Sequence, residues 1–68
     1  MPAISSKLGK NLKRIRTEKQ LSQGVIARKL KVHRAYISGV EHGKRNPTLA
    51  TIEKLAGALG VSADELLK

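Results

Sequence analysis

The sequence predicts an all-α fold: a compact bundle of five short helices in a single domain spanning residues 1–68. Three observations carry this. Apolar residues recur three and four apart in several separate stretches, the spacing that gathers them on one helix face. Ser22, Thr48 and Ser62 stand where helices would open, and Gly43, Pro47 and Gly60 interrupt the pattern. The 40% hydrophobic content is almost all aliphatic, with Tyr36 the sole aromatic, and Leu, Ile, Val and Ala suit short packed helices. A chain of 68 residues has room for one small core, near the lower limit for folding without disulfides or metals.

Taken in order, residues 1–5 read as a loose arm. Ser5 or Ser6 is placed to cap a first helix carrying Leu8, Leu12 and Ile15 at helical spacing. Lys7, Lys10, Lys13 and Arg14 form its solvated side, and Gly9 weakens its first turns by ~1 kcal/mol relative to Ala. Glu18, Lys19 and Gln20 make a polar connection. A second helix opens at Ser22, turns Ile26, Ala27 and Leu30 inward, and leaves Arg28 and Lys29 exposed. After a tight turn, a third helix places Ile37 and Val40 inward. Its other side carries Arg34, Ala35, Ser38, Gly39 and His42, and that stripe has no hydrophobic reason to face the core. A short helix braced from behind, with a small, polar and basic outer stripe, can enter the major groove of DNA. Thr48 caps a fourth helix with Leu49, Ile52, Leu55, Ala56 and Leu59 on its core face, ended by Gly60. Ser62-Ala63-Asp64-Glu65 has the form of a capping box opening a fifth. Leu66 and Leu67 are adjacent, so they cannot point the same way; one closes the core and the other is exposed.

The net charge of +9 is unevenly spread. Residues 1–45 hold twelve Lys/Arg against Glu18 and Glu41, a net of +10; residues 46–68 hold Lys54 and Lys68 against Glu53, Asp64 and Glu65, a net of −1. One-sided positive charge points to a polyanionic partner. With no cysteine there is no disulfide, thiol nucleophile or thiolate metal site, and a reducing cytoplasm is the natural setting. His33 and His42 lie apart from any carboxylate cluster, so no metal is expected. No Ser-His-Asp arrangement and no glycine-rich phosphate loop is present, so neither a cofactor nor enzymatic activity is expected. Nothing resembles a signal peptide or a membrane span.

The stretch Leu21–Glu41 resembles the helix-turn-helix of the Cro/phage-repressor (Xre) family. The likeness is carried by Leu21, Ser22, Gln23, Ala27, Val32, Ile37, Ser38, Glu41, Gly43, Lys44 and Pro47, with Ile26 and Val40 as conservative exchanges. It continues through Leu49, Leu55-Ala56, Leu59-Gly60-Val61 and Glu65-Leu66, nearly the whole chain. The resemblance implies a lambda-repressor-like DNA-binding domain. It pairs Arg16 with Glu41, locking the first helix to the recognition helix. It assigns Arg34 to base edges, with Ala35, Ser38 and Gly39 beside it. Gln23, Lys44, Arg45 and Asn46 go to backbone phosphates, contacts that fix register without reading sequence. Read from the residues themselves, the His33 ring is a further phosphate contact, and Tyr36 at the edge of the stripe either bonds phosphate through its hydroxyl or packs partly buried. Gly39 stands where relatives often carry a long polar side chain, and so removes a reader. Lys31 occupies the family's usual turn glycine: either it takes a left-handed backbone at a cost of about 1–2 kcal/mol, or the turn has another form. The last helix of relatives often builds a dimer seam, which makes Leu66 and Leu67 the interface candidates.

The function so implied is a sequence-specific transcription regulator, a repressor or controller that binds double-stranded DNA as a homodimer in the cytoplasm. Two recognition helices about 34 Å apart would read a palindromic operator. A competing class within the same family is an antitoxin-type module that neutralises a partner protein, using the acidic last third or an exposed leucine. A cationic membrane-active peptide is a further rival, but Gly43, Pro47 and Gly60 break the continuous amphipathic helix it needs.

Overall fold

The computed structural model describes residues 3–68, with side chains from residue 5 onward. Five α-helices follow in order: α1 (Ala3–Glu18), α2 (Gln23–Leu30), α3 (Arg34–Glu41), α4 (Leu49–Leu59) and α5 (Ala63–Leu67). No strand occurs among the described residues. The all-α expectation therefore holds, with the inner faces as read: Leu8, Leu12, Ile15, Ile26, Ala27, Ile37, Val40, Ile52, Leu55, Ala56 and Leu59 form one buried cluster with Leu66. Helix α1 packs on α3 and α5, α2 on α3 and α4, and α4 on α5. The bundle measures 26 × 22 × 21 Å.

Four expectations need correction. Helix α1 begins at Ala3, so residues 3–5 are helical rather than part of an arm, and neither Ser5 nor Ser6 caps it. Ser5 is instead buried, and the Ser5–Ser6 backbone lies against Gly43, just beyond α3. Residues 1 and 2, the rest of the expected arm, lie outside the described residues. Leu49 is 63% exposed and leaves the core face to the other apolar residues of α4. Being the first residue of its helix, it lies at the rim of the bundle. Ser62 occupies the N-cap of α5 but its side chain caps nothing. Glu65 turns to Lys68 instead (2.9 Å), and this neighbouring ammonium lowers its pKa below the usual carboxylate value. Leu66 is fully buried, so Leu67, 37% exposed, is the member of the pair left outside.

Four helices end in the same way. In each, an amide five residues on bonds a carbonyl of the last turn, and the amide before it closes a shorter loop. The pairs run Leu21 to Arg16 (3.0 Å), Val32 to Ala27 (3.0 Å), Lys44 to Gly39 (2.8 Å) and Val61 to Ala56 (3.0 Å). This Schellman arrangement needs one left-handed residue per helix end. Gly43 and Gly60 supply it at φ near +72° without steric cost. At the other two ends the residue is Gln20 (φ 59°) or Lys31 (φ 60°). The turn before α3 thus takes the left-handed form, with Lys31 where a glycine is easier. Ser22 and Thr48 cap as expected, accepting from the amides of Val25 (3.1 Å) and Thr51 (3.2 Å).

Gly9 has a role its position in the sequence did not reveal. A Cβ built there would lie 2.4 Å from the Val40 carbonyl oxygen and 2.5 Å from that of Glu41. Helices α1 and α3 therefore cross backbone against backbone at this point, and only the absence of a side chain permits it.

Candidate nucleic-acid interface

The site is organised by how α3 is held. Glu41, in its last turn, is buried and has lost its water. A buried carboxylate must find donors or lose its charge, and three converge on it. The Arg16 guanidinium from α1 takes both oxygens: Nε donates to Oε2 (2.6 Å) and Nη2 to Oε1 (3.2 Å). Gln23 Nε2, from the first turn of α2, donates to Oε1 (2.9 Å). The remaining arm of Arg16 donates from Nη1 to the Leu21 carbonyl (2.8 Å), on the segment leading into α2. The two charged side chains are 14% and 2% exposed. This knot joins α1, the approach to α2, α2 itself and α3, and it fixes the angle at which α3 leaves the bundle. The pairing of Arg16 with Glu41 is present as expected. Its extension to Gln23 was not legible, because the resemblance gave Gln23 a phosphate role. One N–H of that amide is engaged by Glu41 and the other remains for a ligand.

With Ile37 and Val40 buried, the opposite face of α3 is turned to solvent. Arg34 and Ala35 are exposed in its first turn, and Ser38 is half-buried in its second. His33 occupies the N-cap with an extended backbone and no capping bond from its ring. His42 follows the helix, with Nδ1 2.7 Å from the Ser38 carbonyl oxygen, a contact in which the carbonyl can only accept. The loop beyond carries Lys44, Arg45 and Asn46, all exposed. Asn46 Oδ1 accepts a long bond from buried Ser5 Oγ (3.5 Å), which leaves the two amide hydrogens of Asn46 facing outward as donors. Arg45 behaves differently from its neighbours. Its chain runs back over α3, with Cγ 3.0 Å from where a Cβ on Gly39 would stand. Its guanidinium carbon lies 5.6 Å from the centre of the Tyr36 ring, within the range of an exposed cation–π contact of about 0.5–1 kcal/mol.

The structure therefore brings Arg34, Ala35, Ser38, Gly39, Tyr36, Arg45 and His42 to one helix and its return loop. Gln23, His33, Lys44 and Asn46 flank them. It does not bring Leu66 to the surface. A separate cleft between α2 and α4 is lined by Lys29, Leu30, Lys31, Lys54 and Ala58, none of them on α3. Among the described residues no group of three or more His, Asp or Glu could hold a metal ion, and no helix is long and apolar enough to cross a membrane. The array consists of donors, cations and small residues. Such a set has the chemistry that suits an anionic, acceptor-rich surface.

Comparison with known proteins agrees. A helix-turn-helix family model matches residues 12–66. The chain is 37% identical over 60 residues to an immunity repressor protein of Bacillus phage phi105, covering 88% of this chain but 42% of the repressor. It is 40% identical over 67 residues to the control protein C.MunI of a Mycoplasma species, covering 97% of this chain and 90% of that one. Its structure superposes with a TM-score of 0.84, at 34% identity and full coverage of both chains, on the restriction-modification controller protein C.Esp1396I, a tetramer in complex with its natural 35 base-pair operator. The chain belongs to the Cro/phage-repressor (Xre) family of helix-turn-helix proteins.

Proposed function

We propose that this protein is a sequence-specific, double-stranded DNA-binding transcription regulator that occupies a palindromic operator as a homodimer. The observation that carries this reading is the outer face of α3: a rigidly held helix whose exposed first turn presents Arg34 and Ala35 with no packing role. Arg34 reads a guanine edge through its planar fork, and a bidentate contact of that kind discriminates by roughly 1–3 kcal/mol. Ala35 meets a thymine methyl and Ser38 donates its hydroxyl. Gln23, His33, Lys44, Asn46 and the Tyr36 hydroxyl hold phosphates on either side and set the register. Leu67, the exposed leucine of α5, contributes to the seam between subunits. The protein acts by occupying DNA and carries out no catalysis; its place of action is the nucleoid in the cytoplasm. A repressor and two controller proteins among its relatives support regulation of transcription over neutralisation of a partner protein.

Selection of bound sites from a random duplex library tests the reading. The expected product is a pair of inverted half-sites whose centres lie one helical turn apart, about 10–10.5 base pairs. Affinity for the selected duplex should fall steeply between low and physiological salt, as several neutralised phosphates require. Equal retention of selected and random duplexes would overturn it.

A further inference from the structure

Arg45 lies, by sequence, between two residues assigned to phosphates, and the same role was expected of it. Its path in the structure argues otherwise. Lys44 and Asn46 stay on the loop, whereas the Arg45 side chain folds back across α3 at Gly39 toward Tyr36. Tyr36 and Gly39 are three apart and share one helix face; Ala35, Ser38 and Gly39 share the adjoining one. The guanidinium is thereby delivered to the edge of the outer stripe, beside the residues that face a major groove.

Gly39 makes this path available. With a Cβ at position 39, Arg45 would find its Cγ at 3.0 Å, its Nε at 3.4 Å and its Cδ at 3.8 Å. The nearest of these is close to the stem of the side chain, so the whole chain must shift and not merely its tip. Position 39 is half-buried under Arg45, and glycine in mid-helix carries an entropic penalty that alanine would not. Loss of a reader at 39 is thus matched by the arrival of another from the loop.

We propose that Arg45 is a sequence-reading residue of the α3 face, recognising an acceptor pair on a base edge, and that Gly39 and Tyr36 are the positioning residues that seat it. This inference rests on the proposed DNA-binding function and extends the set of residues that read sequence. A guanidinium held over an aromatic ring, 5.6 Å from its centre, loses less freedom on binding than a free one, and its fork matches the O6 and N7 acceptors of guanine.

The test uses the full chain and the duplex selected by the unaltered protein. Affinities for that duplex and for each single base-pair variant are measured for the unaltered protein, Arg45→Ala, Gly39→Ala, the double variant and Lys44→Ala. Arg45→Ala should abolish preference at one base pair per half-site, a loss of discrimination of roughly 5- to 150-fold, while preference at the Arg34 base pair persists. Gly39→Ala should weaken the same preference with an unchanged or slightly raised Tm, and should add nothing once Arg45 is alanine. Lys44→Ala should weaken all duplexes alike. In the free protein, the Tyr36 ring-proton shifts should move in both Gly39→Ala and Arg45→Ala. A uniform loss across duplexes for Arg45→Ala, as for a phosphate contact, overturns the inference while leaving the DNA-binding function intact. A Gly39→Ala effect that persists in the Arg45→Ala background assigns the defect to the added methyl and overturns the seating role. Absence of any preferred duplex for the unaltered protein sinks the proposed function, and this inference with it.

Discussion

Helix α3 has two sides that are built on opposite rules. On the inner side, Glu41 is surrounded by Arg16 and Gln23, each drawn from a different helix. Among the described residues no buried side-chain nitrogen or oxygen lacks a hydrogen-bond partner. On the outer side, Arg34 and Ala35 stand in solvent with nothing to pack against. Polar groups on the first side are consumed in holding the helix; those on the second are left free for something else. The contrast teaches how a domain of this size can be both marginal and precise. Rigidity is concentrated in one buried knot, and recognition is placed within two helical turns of it.

Substitutions should separate the two sides cleanly. The largest effect is expected at the knot. Glu41→Ala leaves the Arg16 charge mostly enclosed and without its partner, at a cost of roughly 3–5 kcal/mol. At about 4–8 °C per kcal/mol for a domain of this size, thermal melting should show a drop of more than ten degrees. An unchanged Tm would break the comparison, since the knot would then not be structural. Gly9→Ala comes next. Its methyl meets carbonyl oxygens of α3 that belong to the backbone and cannot turn aside, so overpacking should cost about 1–3 kcal/mol, against the gain alanine gives in an ordinary helix interior. Chemical denaturation, with a midpoint shifted downward, is the measurement. Arg34→Ala addresses the outer side: stability should stay within about 0.5 kcal/mol, while preference at the Arg34 base pair of the selected duplex is lost. A fall in Tm matching that of Glu41→Ala would erase the distinction. The smallest effect should be at the turn. Lys31→Gly relieves a left-handed residue costing about 1–2 kcal/mol and incurs the entropy of glycine, roughly 0.5–1 kcal/mol. The net is a stabilisation of about 0–1.5 kcal/mol, read as a small rise in denaturation midpoint.

Much of the bundle was legible because helix faces are a local matter. Leu8, Leu12 and Ile15, or Ile26 and Ala27, declare an inner face by spacing alone, and each is buried as read. Ser22 and Thr48 announce their caps through a hydroxyl in the right place. The failures have a common cause. Ser62 has the capping pattern but Glu65 found Lys68 closer to hand. Leu49 has the apolar character of its face but not its depth. Ser5 or Ser6 was read as the helix cap, whereas the helix runs back to Ala3 and the Ser5–Ser6 backbone lies against Gly43. In each case the local signal was genuine, and a competing partner one turn on (Lys68), a segment distant in sequence (Gly43) or a position at the rim (Leu49) decided the outcome.

The candidate site divides along the same line. Periodicity and charge were sufficient to mark α3 as the helix with an unemployed polar face, and family resemblance supplied the pairing of Arg16 with Glu41. What depended on the folded chain were the other contacts across the sequence: the recruitment of Gln23 to the knot, the close crossing at Gly9, and the return of Arg45 over Gly39. The sequence by itself determined the inner face of each helix, Leu49 at the rim and Ser5 aside, because a helix fixes the angle between successive side chains. Only the tertiary structure decided which of those residues meet, because that depends on how whole helices cross, and a crossing is set by the packed core as a unit.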